Sequence, residues 1–289
     1  TTAPPRLPLL ASPPLTERTR GTISAVCLSQ TSLWYLAMVF CVNKNSVHVA
    51  VPARHVSVKS FTFQVWANPE TWSDRPGYQR ESGWPVLISK SQSWFDGFGA
   101  YGSPDQTLHV YVGEWNKNLA STRLELGKWQ CVTATFNFSL EGGVLSLYVD
   151  GVLKARKEGL PPTRGNDAPL VVGSTCWGDA GWYTWHGAIG PVSLWQRALT
   201  DSEVLTAFRQ GAMTLSPDFH LPLDEKEGNV AVDISAHAAH GAYMSSVTQV
   251  NRETLPEYEG TGPLPWEGGG GGGYSVNDVV TVVGITVVR

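Results

Sequence analysis

The sequence lacks the charge pattern of a nucleic-acid-binding protein. Only 16% of its 289 residues are charged, the formal net charge is −4, and Lys and Arg are scattered without a basic run. Because polyanions are held by clustered cations, we expect no nucleic-acid partner. No apolar run approaches the ~20 residues that span a bilayer, so we also expect no membrane span.

Motifs of several catalytic and metal-binding classes are missing as well. The chain has no Gly-x-Ser-x-Gly elbow, phosphate-cradling loop or His-Glu-x-x-His pair. Its four cysteines lack the Cys-x-x-Cys spacing of zinc or redox sites, and they permit either two disulfides or free buried thiols. They are Cys27, Cys41, Cys131 and Cys176.

Alternating apolar and polar residues are abundant. Residues 127–151 read GKWQCVTATFNFSLEGGVLSLYVDG, in which two strand-like runs with a two-residue period end at Asp150-Gly151. Such a pair tolerates the positive φ angles of a tight hairpin, and Val152–Ala155 then returns along the sheet. Similar short runs separated by turn residues recur along the chain, which predicts an all-β sandwich or barrel.

One segment has helical rather than strand periodicity. Thr200 and Glu203 have the spacing of a capping box, Val204 and Phe208 continue an apolar stripe, and Gly211 can end the helix. We therefore expect one short helix after the main series of strands.

Both ends of the chain differ from its middle in composition. Their composition predicts a Pro-rich extended arm at residues 1–20 and an irregular linker at residues 246–267. It also predicts a Gly-rich tether with a C-terminal β-strand at residues 268–289. A free, β-branched terminus would expose unpaired strand edges. We expect it to add as a strand to a sheet of this chain or of another subunit, which makes other protein subunits the expected partners.

The order of five segments along the chain is informative. They are Met38–Pro52, Phe61–Ala67, Lys128–Thr133, Leu147–Gly151 and Gly187–Thr200. This order is typical of the laminin-G-like, or concanavalin-A-like, jelly-roll superfamily, and the segments resemble its pentraxin-related branch. The resemblance implies an antiparallel two-sheet jelly-roll sandwich over residues 21–245, with extended N- and C-terminal arms. A sixth segment, Leu221–Gly241, lies out of family order, and either completes this sandwich, which we favour, or begins a second module.

Two departures from the family pattern bear on function. The resemblance implies a disulfide between the strand of Cys131 and a position near Gln64, where this sequence has no cysteine. The turn at 41–46 also lacks the Asp that helps to hold calcium in many relatives. Calcium is nevertheless the cofactor that oxygen-rich rim loops would suit, although Asp and Asn are also ordinary turn residues. The candidate ligands are Asn43, Asn45 and Asp96, with Asp105 and Asp179 in similar loops.

Two loops rich in aromatic residues are the candidate ligand-binding sites. Aromatic rings beside Asp or Asn suit a sugar or another protein's surface, although the same rings could pack beneath loops as core. The candidates are Trp177, Asp179, Trp182, Tyr183 and Trp185, together with Trp94 and Asp96.

Three further motifs are weaker. Glu225 and Glu227 have the alternate spacing of glycosidase carboxylates, yet their turn context favours solvated charge. His237 and His240 resemble a metal-ligand spacing without further ligands. Asn137-Phe138-Ser139 is a glycosylation sequon between two strands.

These observations predict a protein that is not an enzyme. We expect a recognition or structural module, secreted or extracellular or on the surface of a particle, that joins a larger assembly through its arms. The alternative is a carbohydrate-binding, lectin-like module, and a glycoside hydrolase of the same fold is the third reading.

Overall fold

The computed structural model describes residues 48–51, 59–72, 84–93, 95–139, 142–175, 183–225, 229–244 and 281–282. Within these residues, fifteen strands form two antiparallel sheets, of eight and seven strands. The structure confirms the predicted sandwich, and one α-helix, α1 (Asp201–Gln210), accompanies it. No helix in the described part of the chain is long and apolar enough to cross a membrane.

The eight-stranded sheet has the order β13-β14-β1-β10-β3-β4-β5-β6. Among the described strands its edges are β6 and β13, and every neighbouring pair is antiparallel. The strands are β1 (His48–Val51), β3 (Val86–Lys90), β4 (Phe98–Gly102), β5 (Thr107–Val112), β6 (Leu119–Arg123), β10 (Leu170–Val172), β13 (Val230–Ala231) and β14 (Gly241–Met244).

The second sheet has the order β12-β11-β2-β7-β8-β9, and β15 pairs with β11 off this path. Its strands are β2 (Ser60–Pro69), β7 (Gln130–Ser139), β8 (Gly142–Val149), β9 (Val152–Leu160), β11 (Gly187–Trp195), β12 (Phe219–Leu221) and β15 (Thr281–Val282).

The core lies between the inner faces of the two sheets. The two-residue period of β7 sends Val132, Ala134 and Phe136 inward, as the alternation predicts. At the centre, the ring of Phe61 stacks on that of Phe98 from the other sheet, with ring centroids 4.0 Å apart. Large buried rings thus join the two layers.

Turn and cap residues act as their sequence context predicts. Asp150 and Gly151 adopt φ angles of 53° and 73°, and the Asp150 carboxylate accepts the backbone N–H of Cys131 at 2.8 Å. Thr200 and Glu203 form both halves of the capping box. Helix α1 then covers the outer face of the seven-stranded sheet, where Phe208 stacks on Trp66 at 5.9 Å.

Cys131 is the described cysteine, and its thiol is free and fully buried. The residue opposite it on β2 is Trp66, so the neighbouring strand offers no cysteine at that register. Burial raises the pKa of the Cys131 thiol, which keeps it protonated. The other three cysteines lie outside the described residues.

Residues 219–244 pair with strands of both sheets. Strand β12 pairs with β11, and β14 pairs with β1 and β13. Near the C-terminus, Thr281 and Val282 pair with Ala188 and Gly187 of β11. The predicted arm at 1–20, the linker at 246–267 and the rest of the tail at 268–289 lie outside the described residues.

Candidate ligand-binding face

Aromatic side chains gather on the outer face of the eight-stranded sheet. Pairing places Val86, Tyr101, His109 and Ser121 in one row across β3 to β6, and their side chains share the face opposite the core. Tyr111 and Leu119 form the next row. We call the following set the Tyr101 face: Trp84, Tyr101, His109, Tyr111, Trp115, Ser121 and Tyr183.

Four rings surround Tyr101. Trp84, Trp115, Tyr111 and His109 have centroids 5.5, 5.9, 6.0 and 5.1 Å from that of Tyr101. Tyr101 itself is buried, whereas the two tryptophans and His109 are only partly buried. The cluster therefore presents ring surface to solvent around a buried phenol.

Contacts among the rings fix their orientation. The Tyr101 hydroxyl donates to the backbone carbonyl of Trp115 at 3.3 Å, which ties the β5–β6 loop to β4. Burial, together with the nearby Tyr111, raises the pKa of Tyr101, so its phenol remains a donor at neutral pH. Trp84 packs edge-on against Trp115 at 5.8 Å.

A chain of polar side chains lies beside the rings. His109 Nδ1 is 2.7 Å from the Ser121 hydroxyl, and His109 Nε2 is 3.0 Å from the Ser103 hydroxyl. Ser103 in turn donates to the Asp105 carboxylate. Hydrogen bonding from Ser103 lowers the pKa of Asp105, and burial lowers the pKa of His109. At neutral pH the chain therefore ends in an ionised carboxylate and contains a neutral imidazole.

The predicted aromatic loop before β11 divides between surface and core. Tyr183 packs against the Tyr101 cluster, and its carbonyl accepts the backbone N–H of Val86 at 3.0 Å. Trp185 is 0% exposed and meets Trp72 edge-on at 5.5 Å. The prediction that Trp185 contacts a ligand at the surface is wrong, because its ring fills the core. Trp177, Asp179 and Trp182 lie outside the described residues.

The Asp96 carboxylate accepts hydrogen bonds from its own loop and from Asn166. One carboxylate oxygen accepts the Ser91 hydroxyl at 2.9 Å, the Gln92 N–H at 2.8 Å and the Asn166 amide at 3.2 Å. This pattern orders the β3–β4 loop and leaves Phe95 62% exposed. Trp94 lies outside the described residues.

Predicted metal ligands are not brought together by the described residues. No group of three or more His, Cys, Asp or Glu side chains suited to a metal occurs among them. Asn43, Asn45 and Asp179 lie outside that part of the chain. Asp105 accepts hydrogen bonds from Ser103 and the Thr107 N–H.

The weaker motifs have structural partners. Glu225 accepts the Val232 N–H at 2.5 Å and the Tyr243 hydroxyl, which joins it to the edge of the eight-stranded sheet; Glu227 lies outside the described residues. His237 Nε2 lies 3.3 Å from Asp218 Oδ1. His240 Nδ1 accepts the Asp233 N–H at 3.0 Å.

Asn137, the sequon residue, is exposed near the end of β7. Its side-chain oxygen accepts the Ser60 hydroxyl at 3.3 Å. Glycosylation at this position stays a prediction.

Of the Tyr101 face, the sequence pointed to Tyr183, whereas Trp84, Trp115 and the polar side chains beside them were missed. His109, Ser103 and Ser121 come from different strands and one turn, and only strand register brings them together. A lone His in an alternating strand, outward by parity, was the available signal.

The comparisons with known proteins identify the family. The Laminin_G_3 model, described as the concanavalin A-like lectin/glucanases superfamily, matches residues 43–205. Because this match covers more than half of the sequence, the chain belongs to this superfamily. No curated protein matches the sequence.

Solved structures with a similar fold are distant in sequence. A candidate carbohydrate binding protein from Bacteroides ovatus is 17% identical with a TM-score of 0.50, over 68% of this chain and 56% of its own. A heptameric SAP-like pentraxin from Limulus polyphemus is 18% identical with a TM-score of 0.40, over 58% and 83%. The binding domain of botulinum neurotoxin DC, in complex with SialylT, is 13% identical with a TM-score of 0.41, over 56% and 38%. This chain thus spans little more than half of the Bacteroides protein, and the likeness shows the fold alone.

Proposed function

We propose that this domain is a non-enzymatic recognition module that binds carbohydrate on the Tyr101 face. The observation that carries the proposal is the position of partly exposed Trp84 and Trp115 rings beside the polar chain from Ser121 to Asp105. Sugar rings have apolar faces that pack on aromatic rings and hydroxyl groups that need directed partners. The superfamily, and the Bacteroides neighbour of similar fold, support this ligand class.

The arrangement of Ser121 and His109 resembles a nucleophile and its base, but it departs from a catalytic triad. In a triad the carboxylate contacts the second imidazole nitrogen directly. Here Ser103 lies between the imidazole and the carboxylate, since its hydroxyl is 3.0 Å from His109 Nε2 and donates to Asp105. Glu225, the described member of the carboxylate pair, is bonded to Val232 and Tyr243. Binding therefore accounts for the geometry better than hydrolysis.

A glycan array followed by calorimetry tests the proposal. We expect specific binding, and we expect Trp115→Ala to weaken it about tenfold because one stacking ring is lost. Phe95→Ala is the matched control, since Phe95 is an exposed aromatic outside the Tyr101 face. Binding that survives Trp115→Ala and Trp84→Ala, in variants with native melting curves, would place the ligand elsewhere.

The Trp177–Trp182 segment enters the same test. It directly precedes Tyr183, which packs on the Tyr101 cluster. We therefore propose that Trp182 extends the binding face. Trp182→Ala should then weaken glycan binding as Trp115→Ala does, and unchanged affinity would remove it from the site.

A second candidate function is assembly through the C-terminal tail. This proposal is supported by the pairing of Thr281 and Val282 with Ala188 and Gly187 of β11. Strand β12 pairs with a later part of β11, residues 192–194. A six-glycine tether at 268–273 could also deliver this strand to a second subunit. Deleting residues 268–289 should then lower the number of subunits in the native protein, the melting temperature or both. If neither changes, the tail has no role in assembly.

We also propose a secreted or surface location, supported by the exposed Asn137 sequon. Expression through a secretory pathway should yield a glycan-dependent mass shift that Asn137→Gln abolishes. Absence of any shift would remove this support.

A further inference from the structure

The polar chain on the Tyr101 face has a definite direction. We propose that a hydrogen-bond relay runs from Ser121 through His109 and Ser103 to Asp105, and makes the Ser121 oxygen an acceptor for N–H and O–H groups of the ligand. Protonation of His109 then reverses the hydrogen bond between His109 and Ser121. This inference rests on the proposed function only for the ligand group that contacts Ser121.

The Ser103 hydroxyl carries one proton. Two oxygens without hydrogens compete for that proton: the Asp105 carboxylate, which Ser103 contacts, and the Thr107 carbonyl at 3.1 Å. Whichever takes it, none remains for His109 Nε2 at 3.0 Å. His109 must therefore donate from Nε2, and Ser103 accepts.

The tautomer at Nε2 fixes the other end of the chain. A neutral imidazole that is protonated at Nε2 has an unprotonated Nδ1, which accepts a hydrogen bond. The Ser121 hydroxyl lies 2.7 Å from this atom and supplies the proton. Ser121 thus has no proton left for a ligand, and this partly exposed residue can offer only the lone pairs of its hydroxyl oxygen.

Acidification reverses the hydrogen bond between His109 and Ser121 because imidazolium donates from both nitrogens, while the bonds from His109 to Ser103 and from Ser103 to Asp105 keep their direction. Ser121 then accepts from His109 Nδ1 and turns its own proton outward. The same hydroxyl would change from an acceptor for ligand N–H and O–H groups into a donor for carbonyl or carboxylate oxygens.

The groups around His109 determine the pH range over which it becomes protonated. Among the described residues, the charged groups on neighbouring elements are Asp105 on the β4–β5 turn, Arg123 on β6, and the ion pair of Glu114 and Lys117 on the β5–β6 loop. The phenols of Tyr101 and Tyr111 share the face. Burial disfavours the imidazolium, whereas Asp105 favours it. The acceptor state is therefore the one present at neutral pH.

Long-range proton–nitrogen NMR of the ¹⁵N-labelled protein tests the relay without any ligand. The His109 signals are assigned by their absence in His109→Gln. At pH 7.5 we expect Nε2 to be protonated and Nδ1 unprotonated. Ser103→Ala should shift the population toward the Nδ1–H tautomer because Nε2 loses its acceptor, whereas Ser121→Ala should retain the Nε2–H tautomer. A protonated Nδ1 in the unaltered protein, or a tautomer insensitive to Ser103→Ala, would overturn the inference.

Binding supplies the second readout. For a glycan that binds this face, replacing the donor that meets Ser121 by fluorine should weaken binding about tenfold at pH 7.5. The loss should shrink once His109 is protonated, and His109→Gln should abolish this pH dependence. Glycan binding with the opposite tautomer would refute the relay alone. The expected tautomer without glycan binding would refute the proposed function alone.

Discussion

Acid should destabilise this protein through His220, a residue remote from the Tyr101 face. His220 lies on β12 under helix α1 with 5% of its surface exposed, and its Nδ1 is 2.7 Å from the Ser193 hydroxyl. Burial lowers its pKa from 6.5 to about 4, against the smaller opposing attraction of Asp233. The folded protein therefore holds His220 neutral at pH values where the unfolded chain would protonate it.

The sign and size follow from linkage. Because the folded pKa is the lower one, His220 imposes no penalty above the unfolded pKa of about 6.5, and stability falls as the pH drops toward 4. Protonation of the unfolded state should remove about 2 kcal/mol of the unfolding free energy between pH 7.5 and pH 5. By pH 4 the loss should reach about 3 kcal/mol.

Urea unfolding at pH 7.5, 6.5, 5.5 and 5 measures this effect. Carboxylates titrate at lower pH in both proteins, so the informative quantity is the difference between the unaltered chain and His220→Gln, which cannot titrate. We expect the variant to be less stable at pH 7.5 but to lose about 2 kcal/mol less on acidification to pH 5. His109→Gln is the control for a partly exposed histidine. Parallel pH profiles for the unaltered chain and His220→Gln would refute the reasoning.

Three further substitutions test the fold in unfolding experiments. Asp233→Ala should cost about 3 kcal/mol or more, because its buried carboxylate accepts four hydrogen bonds; a loss below about 1 kcal/mol would contradict that role. Gly102→Ala should destabilise the protein, since a Cβ there would lie 2.0 Å from the buried Trp72 ring, and a native melting temperature would count against this packing. Thr200→Ala should cost about 1 kcal/mol through the lost N-cap, while Thr206→Ala, within the same helix, should cost little; equal effects would argue against the cap.

The non-enzymatic reading has its own test. A fluorophosphonate probe labels activated serines, and we expect no labelling of Ser121 because Ser103 separates His109 from the carboxylate. Mass spectrometry of the digested protein reads this directly. Stoichiometric labelling of Ser121, abolished by His109→Gln, would show a reactive serine and overturn the reading.

Local sequence patterns predicted much of the fold. The parity of β7 separated inward Phe136 from outward Cys131, and Asp150-Gly151 and Thr200 marked a hairpin and a helix start. Strand β6 escaped prediction because its sequence LASTR buries only one residue, Ala120. An edge strand with one buried position has no clear alternation to read.

The site was predicted less well because contact across strands depends on register. The Gly-rich context of Trp185 fitted either a ligand site or packing beneath loops, and contact with Trp72 places its ring in the core. His109, Ser121 and Tyr101 carried no local signal that they would meet, since each lies on a different strand. A one-residue slip in any of these strands would separate them.

Titration of the ¹⁵N-labelled protein with oligosaccharides, following the indole N–H signals, tests the central claim most directly. Trp84 and Trp115 are assigned by their absence in the corresponding alanine variants. The account predicts saturable shifts of these two signals, with the buried Trp195 indole, which donates to the Leu215 carbonyl at 3.1 Å, unchanged. Glycan binding that shifts other indoles while Trp84 and Trp115 stay fixed would contradict it.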